Sequence, residues 1–252
     1  MLISPMSSAF SFCIRTIGLL GGNDECAIEV SPVTPGILLR VEGGSDFHIS
    51  PDGREITRPG REDELLEGLD LEIRQGPALV LAHSMRANWC LHASAARCNG
   101  KTVAFLGESG YGKSTLAGYL HRSGWQRVAD DILPVTLEGE SVLAWPHFPQ
   151  LKLPEEQQPA LHLPESLPLD LLCLVSPTVA DEAPRLEPLS ATEAVTALLS
   201  HTAGTRMFWP ELLAQHLEFC ARAGQILPAY RLTYPHRRES LPLVKELLET
   251  LC

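Results

Sequence analysis

The stretch GESGYGKST, residues 107–115, matches the phosphate-binding pattern G-x-x-x-x-G-K-[ST]. The apolar run before it, KTVAFLG, predicts a strand, and KSTLAGYL at its end predicts a helix. A strand, a glycine-rich turn and a helix N-terminus in this order form a cradle for phosphate groups. The stretch therefore predicts an α/β core with a phosphate ligand. It does not fix the function, because motors, switches, transporters and kinases all use this loop.

The positions of the loop have distinct chemical roles. Its glycines permit the backbone angles that turn successive N–H groups toward the phosphates. Lys113 is expected to reach the β- and γ-phosphates, and the Ser114 hydroxyl is expected to ligate Mg²⁺. We therefore predict that ATP or GTP binds with Mg²⁺, and nothing in the sequence decides between the two bases. The predicted nucleotide-binding residues are Gly107, Ser109, Gly110, Gly112, Lys113, Ser114 and Thr115.

The composition excludes several other classes of partner. The chain has 252 residues and a formal net charge of −11, and its longest basic run is HRR, residues 236–238. Nucleic-acid binding needs clustered cations, so we expect no nucleic-acid partner. No apolar run is long enough to span a membrane, and the seven cysteines include no C-x-x-C pair. These features predict a cytoplasmic protein without a membrane partner.

The chain divides into two predicted regions. Residues 1–75 form a small β-rich region, with a hairpin centred on Asp52-Gly53. Residues 76–252 form the phosphate-loop domain, which begins with a connecting helix at 76–89. Ser190 and Glu193 have capping-box spacing and predict a helix start, whereas Gly224 is predicted to end the following helix. Strands and helices mix throughout, which predicts the α/β class.

The dipeptide Asn99-Gly100 predicts a tight hairpin immediately before the loop. In a two-residue turn of this kind, paired residue numbers sum to about 199, which would place His92 opposite Gly107. A histidine there would contact a phosphate or the transferred group. A polar residue that simply ends a strand is the other interpretation of His92.

Asp130 and Asp131 follow the strand that returns after the loop helix. If this strand runs parallel to the strand before the loop, its carboxyl end shares the sheet edge where ligands bind. One carboxylate would then suit a catalytic base and the other a Mg²⁺ partner. A solvated acidic turn is the alternative on spacing alone.

The run LHASAARCNGKTVAFLGESGYGKSTLAGYLHRSGWQRVADDILPV, residues 91–135, resembles the catalytic core of the HPr kinase/phosphorylase family. The resemblance implies a phosphate-loop core related to phosphoenolpyruvate carboxykinase and phosphorylation of a serine hydroxyl with nucleotide and Mg²⁺. It implies that Asp130 is the catalytic base, that Asp131 is a metal-side acid and that His92 lies beside the phosphates. The chain lacks the glycine-rich segment of the bifunctional enzymes, so a reverse phosphorylase activity stays open. Because relatives often form rings, a homo-oligomer is expected.

The layout is also similar to the HPr-kinase-related proteins of lasso and other ribosomal peptide biosynthesis. The shared short motifs are LHASA, the loop, DD, P-x-L-K-L at residues 149–153 and Y-R-L at residues 230–232. This resemblance implies a peptide or small-protein acceptor. Lys152 in the fourth motif is a candidate second phosphate cation, with a solvated strand face as the alternative. A small-molecule alcohol kinase and a nucleotide-hydrolysing switch are the competing functions.

Overall fold

The computed structural model describes residues 12–17, 25–150, 153 and 163–252. The chain is a mixed α/β protein that divides into two compact units. The first unit comprises the chain up to Trp89 together with Gly204–His216, and the second comprises Cys90–Ala203 and Leu217–Cys252. The first division follows Trp89, whereas the predicted regions met at residues 75 and 76. No helix in these described ranges is long and apolar enough to cross a membrane.

The first unit contains a five-stranded antiparallel meander and two helices. Alternation of buried and exposed residues along β3 and β4 gives this sheet one apolar face. The hairpin around Asp52-Gly53 is confirmed, since His48 pairs with Thr57 and Ile49 with Ile56. The elements are β1 (Phe12–Ile17), β2 (Glu25–Pro32), β3 (Ile37–Val41), β4 (Phe47–Ile49), β5 (Ile56–Thr57), α1 (Gly68–Gln75) and α2 (Pro77–Met85).

The single helix predicted over residues 76–89 is wrong in extent. Gly76 separates α1 from α2, and Pro77 occupies the first turn of α2, where its missing N–H costs nothing. Helix α1 carries Asp70, which bonds Arg58 at 2.6 Å, and the Arg58 side chain is only 5% exposed. This nearly buried ion pair fastens the segment after β5 to α1.

The second unit is built on a six-stranded mixed sheet in the order β14-β15-β13-β8-β7-β9. Strands β8, β13 and β15 run parallel, while β7 is antiparallel to both β8 and β9. It follows that β9 has the same direction as β8. The strands are β7 (Ser94–Cys98), β8 (Lys101–Leu106), β9 (Gln126–Ala129), β13 (Leu171–Thr178), β14 (Arg185–Pro188) and β15 (Ala229–Pro235).

A smaller sheet in the order β12-β11-β10-β6 and four helices complete the architecture. Apolar residues of β8, β13, β15, α3 and α6 form one buried core. These remaining elements are β6 (Trp89–His92), β10 (Ile132–Glu138), β11 (Ser141–Ala144), β12 (Leu167–Pro168), α3 (Lys113–Arg122), α4 (Ala191–Ser200), α5 (Pro210–Ile226) and α6 (Leu241–Glu249).

Two helix-end predictions had different outcomes. The capping box is confirmed: the Glu193 N–H donates to Ser190 Oγ, and the Ser190 N–H donates to Glu193 Oε2 at 2.9 Å. The predicted stop at Gly224 is wrong, because α5 continues to Ile226. A Cβ at Gly224 would lie 2.6 Å from Cγ2 of Val195, so this glycine allows close packing of α5 on α4.

Candidate functional site

The phosphate loop, residues 107–115, begins where the buried central strand β8 ends. Gly107 has φ +146°, and a Cβ there would lie 2.9 Å from the Val175 carbonyl oxygen. Gly112 has φ +85° and caps α3, whose first bond runs from the Leu116 N–H to the Gly112 carbonyl at 2.8 Å. Both positions therefore require glycine, one for space and conformation and the other for the left-handed angle.

The loop is open to solvent along most of its length. Glu108, Ser109, Gly110 and Tyr111 are exposed, as are Ser114 and Thr115 in the first turn of the helix. That first turn contains no acidic residue. The start of α3 is therefore open to an anion, which the helix dipole also favours.

The ammonium group of Lys113 lies across the mouth of the loop. Its Nζ donates to the Gly107 carbonyl at 2.6 Å and to the Glu108 carbonyl at 3.0 Å. These bonds hold the charge against the first two residues of the loop. A phosphate chain in the loop would meet this cation directly, as the motif requires.

The acid turn, Asp130–Asp131, follows β9 at the same sheet edge as the loop. Strand β9 does run parallel to β8, across the intervening strand β7, so the condition for the acids to reach this edge is met. Ser94 Oγ donates to the Asp130 carbonyl at 2.7 Å, and Ser114 Oγ donates to the same oxygen at 3.4 Å. The predicted Mg²⁺-ligating serine thus lies against the backbone of the predicted base.

Gln150 holds the acid turn and was missed by the sequence reasoning. Its Oε1 accepts from the N–H groups of both Asp130 and Asp131 at 2.9 Å. Its Nε2 donates to the carbonyls of Ile132 at 2.8 Å and Phe148 at 2.9 Å. Gln150 is 1% exposed, so one buried amide fixes the backbone that carries both acids.

His92 does not occupy its predicted position. The register sum of 199 is confirmed from Ser94–Phe105 to Cys98–Lys101, but the ladder ends at Ser94. The chain departs from the sheet at Ala93, whose N–H donates to the Asp131 carbonyl at 3.1 Å. His92 belongs to β6, and its N–H donates to the His201 carbonyl at 2.7 Å. The predicted pairing with Gly107 is therefore wrong.

A second histidine, His201, lies near the loop and was also missed. Burial lowers the pKa of His201, the Glu108 carboxylate opposes this shift, and Lys113 and His92 add to it. These interactions place His201 within electrostatic range of Glu108, Lys113 and His92. His92 and His201 are brought together beside an isolated bridge between Leu91 and Thr202. Because these residues are far apart in sequence, no local sequence signal predicts their contact.

Lys152 lies outside the described residues, as does its neighbour Leu151 in the P-x-L-K-L motif. Its predicted role as a phosphate cation stays a prediction.

The oxygen donors at this edge fit a magnesium ion. The described residues contain no group of three or more His, Cys, Asp or Glu side chains suited to a metal. Mg²⁺ needs no such cage, since it is bound through one or two carboxylates together with substrate phosphates and water. The Ser114 hydroxyl is exposed and Asp131 is half-buried, so both oxygens are accessible. Ser114 and Asp131 would hold the ion.

Comparison with known proteins gives likenesses among solved structures. No protein-family model matches the sequence, and no curated protein matches it. An Hpr(Ser) kinase/phosphatase from Coxiella burnetii is similar in structure, with a TM-score of 0.38 and 14% sequence identity. The match covers 64% of this chain and 95% of the other.

Proposed function

We propose that this protein is a Mg²⁺-dependent phosphotransferase that moves the γ-phosphoryl group of a nucleoside triphosphate to a serine hydroxyl of a peptide or small protein. One observation carries the proposal. The glycine loop and the acid turn lie at one edge of the sheet, with Ser114 Oγ 3.4 Å from the Asp130 carbonyl oxygen. Phosphate binding and a proton acceptor are thereby brought together, as phosphoryl transfer requires.

The loop binds and orients the phosphate chain. The N–H groups of residues 107–115 and the start of α3 supply fixed donors, which need no reorganisation when charge develops. Lys113 offsets negative charge on the transferred group and on the departing diphosphate. Magnesium, held by Ser114 and Asp131, would neutralise charge on the phosphate chain.

Asp130 orients the acceptor and takes its proton. It is 6% exposed, and its carboxylate therefore acts in a region from which water is largely excluded. The serine oxygen attacks the γ-phosphorus as its proton passes to Asp130, and the bond from the γ-phosphorus to the β,γ-bridging oxygen breaks. The products are a phosphoserine and a nucleoside diphosphate. Gln150 holds the Asp130 backbone in register with the loop.

The peptide acceptor is supported by the resemblance of the short motifs to kinases of ribosomal peptide biosynthesis. Four of them lie wholly in described residues: the loop follows β8, DD follows β9, LHASA spans the junction of β6 and β7, and Y-R-L lies in β15. β15 pairs with β13, next to the loop strand β8. Y-R-L and the last two residues of LHASA thus belong to the six-stranded sheet that carries the site.

The test is transfer of label from γ-labelled ATP or GTP, with Mg²⁺ and an extract of the source cells. We expect label on a peptide or protein with the wild-type chain and none with Lys113→Ala. Asp130→Asn should lower transfer by about 10²–10⁴-fold while nucleotide binding persists, because a general base contributes about that much. Asp63→Asn changes an exposed acid of the first unit and serves as the matched control.

The distribution of label decides between the alternatives. Label on a small molecule would replace the peptide acceptor with an alcohol. Label only in free phosphate would favour a hydrolysing switch and leave Asp130 without an acceptor. Transfer by Asp130→Asn at the wild-type rate would overturn the assignment of the base.

A further inference from the structure

A cavity of about 220 Å³ adjoins the phosphate loop on the side of β15. It lies between the first turn of α3 and the segment that follows β15. Pockets for whole ligands have volumes of about 300–1,000 Å³, so this cavity suits one end of a larger ligand. Its lining residues are Gly112, Thr115, Tyr234, His236, Arg237, Arg238 and Leu241.

The order of the strands places this cavity and the acid turn on opposite sides of the phosphate loop. Strands β9, β8, β13 and β15 all point their carboxyl ends to one sheet edge. The loop follows β8 in the interior of the sheet, with the acid turn after β9 on one side and His236 after β15 on the other. A nucleotide whose γ-phosphate faces Asp130 therefore extends its opposite end toward β15.

The lining of the cavity is cationic although the whole chain is acidic. It contains the HRR run, the longest basic run in a protein of net charge −11. Arg237 is engaged by an ion pair with Asp181. Arg238 is exposed, and within the described part of the chain no carboxylate pairs with it. His236 and Arg238 are thus the groups available to a ligand.

The cavity abuts the glycine that caps the loop helix. A Cβ at Gly112 would lie 3.0 Å from Nε2 of His236 and 3.4 Å from the Tyr234 hydroxyl. Burial raises the pKa of Tyr234 to about 12, so its hydroxyl remains a donor at neutral pH. The wall of the cavity therefore offers a planar imidazole, a planar guanidinium and a phenolic donor.

We propose that this cavity binds the nucleoside end of the nucleotide, with His236 and Arg238 against the base. The inference rests on the proposed function, because it takes the loop as the triphosphate site. Imidazole and guanidinium groups stack on the faces of nucleobases, and base stacking is tolerant of base identity. The sequence showed no motif for base recognition, which agrees with recognition by stacking.

The test compares the dissociation constants of ATP and inorganic tripolyphosphate, both with Mg²⁺. Tripolyphosphate has the phosphate chain without the nucleoside. The double variant His236→Ala/Arg238→Ala should weaken ATP binding about tenfold, the loss expected for one stacked base. It should leave tripolyphosphate binding unchanged. Arg122→Ala removes an exposed arginine at the other end of α3 and should change neither constant.

The outcomes separate this inference from the proposed function. An equal loss for both ligands would assign the cations to the phosphate chain and overturn a nucleoside site. Unchanged ATP binding in the double variant would overturn it as well. If the wild-type chain binds neither ligand, the phosphate loop itself lacks its proposed role, and both proposals fail.

Discussion

The two halves of the candidate site are built in opposite ways. The phosphate loop is largely exposed and is shaped by its own backbone, with glycines at φ +146°, +84° and +85°. The acid turn is largely buried and is held by the Gln150 side chain, located about twenty residues later in the chain. A ligand can therefore complete the loop, whereas the acid turn is already complete before any ligand arrives.

This difference explains where binding energy and precision arise. Under the proposed function, N–H groups of the solvent-exposed loop would exchange water for phosphate when a nucleotide binds. The acid turn needs no such exchange, because its backbone donors are already satisfied by the Gln150 amide. Fixed orientation of a base is what transfer requires, since small misplacements of reacting groups are costly.

Gln150→Leu should produce the largest loss in the free energy of unfolding, because it removes the amide that holds the acid turn. It leaves the phosphate loop unchanged. Leucine has a similar size but leaves the Asp130 and Asp131 N–H groups and two carbonyls without the amide. Each buried unpaired group costs about 1–3 kcal/mol, so we expect a loss of at least about 3 kcal/mol in the free energy of unfolding. Chemical denaturation measures this loss.

The same variant separates positioning from simple destabilisation. In protein that remains folded at low temperature, kcat should fall while tripolyphosphate binding to the loop persists. Gln225→Leu replaces an exposed glutamine of α5 and is the matched control. Wild-type kcat in folded Gln150→Leu would show that the acids hold their places without the amide.

Two glycines of the loop, Gly110 and Gly112, differ in the space available for a Cβ. Gly110 and Gly112 have nearly equal positive φ, but a Cβ at Gly110 meets nothing within 4 Å, whereas one at Gly112 meets His236. Gly110→Ala should cost about 1–2 kcal/mol of stability from the left-handed conformation alone. Gly112→Ala should cost more stability, because its Cβ would also lie too close to the His236 imidazole.

A double-mutant cycle isolates that contact. Combining Gly112→Ala with His236→Ala removes the imidazole, and the excess cost over Gly110→Ala should then disappear. Denaturation curves of the four chains supply the numbers. Equal costs for the two glycine variants would contradict the close approach of His236.

Features set by neighbouring residues were predictable from the sequence. The phosphate loop, the capping box at Ser190 and the register of the Asn99-Gly100 hairpin each depend on a few adjacent positions, and the structure has all three arrangements. The parallel direction of β9 entered the sequence analysis only as a condition, and the strand order meets it. The roles of the site residues stay predictions.

Features set by distant contacts were not predictable. The amide of Gln150 can be assigned to the acid turn only once the chain has folded back on β9. His92 was misplaced because periodicity cannot show that the chain changes sheets at Ala93. Gly224 was taken as a helix stop because its sequence signal is the same as that of a glycine packed against another helix.

The smallest expected effect is a difference between the two halves of the site in how their stability depends on pH. The acid turn is held by an amide, which does not titrate, whereas His201 near the loop does. Because the folded-state pKa of His201 is lowered, mainly by burial, the unfolded chain binds the proton more readily. The stability that this residue contributes is therefore present above the unfolded pKa of about 6.5 and is lost as the pH falls through the lower folded-state value.

His201→Gln should flatten the decline in unfolding free energy between pH 7.5 and 5, whereas the exposed control His121→Gln should leave its slope intact. A wild-type slope in His201→Gln would mean that the buried histidine carries no share of the pH dependence, and other buried groups would then account for it.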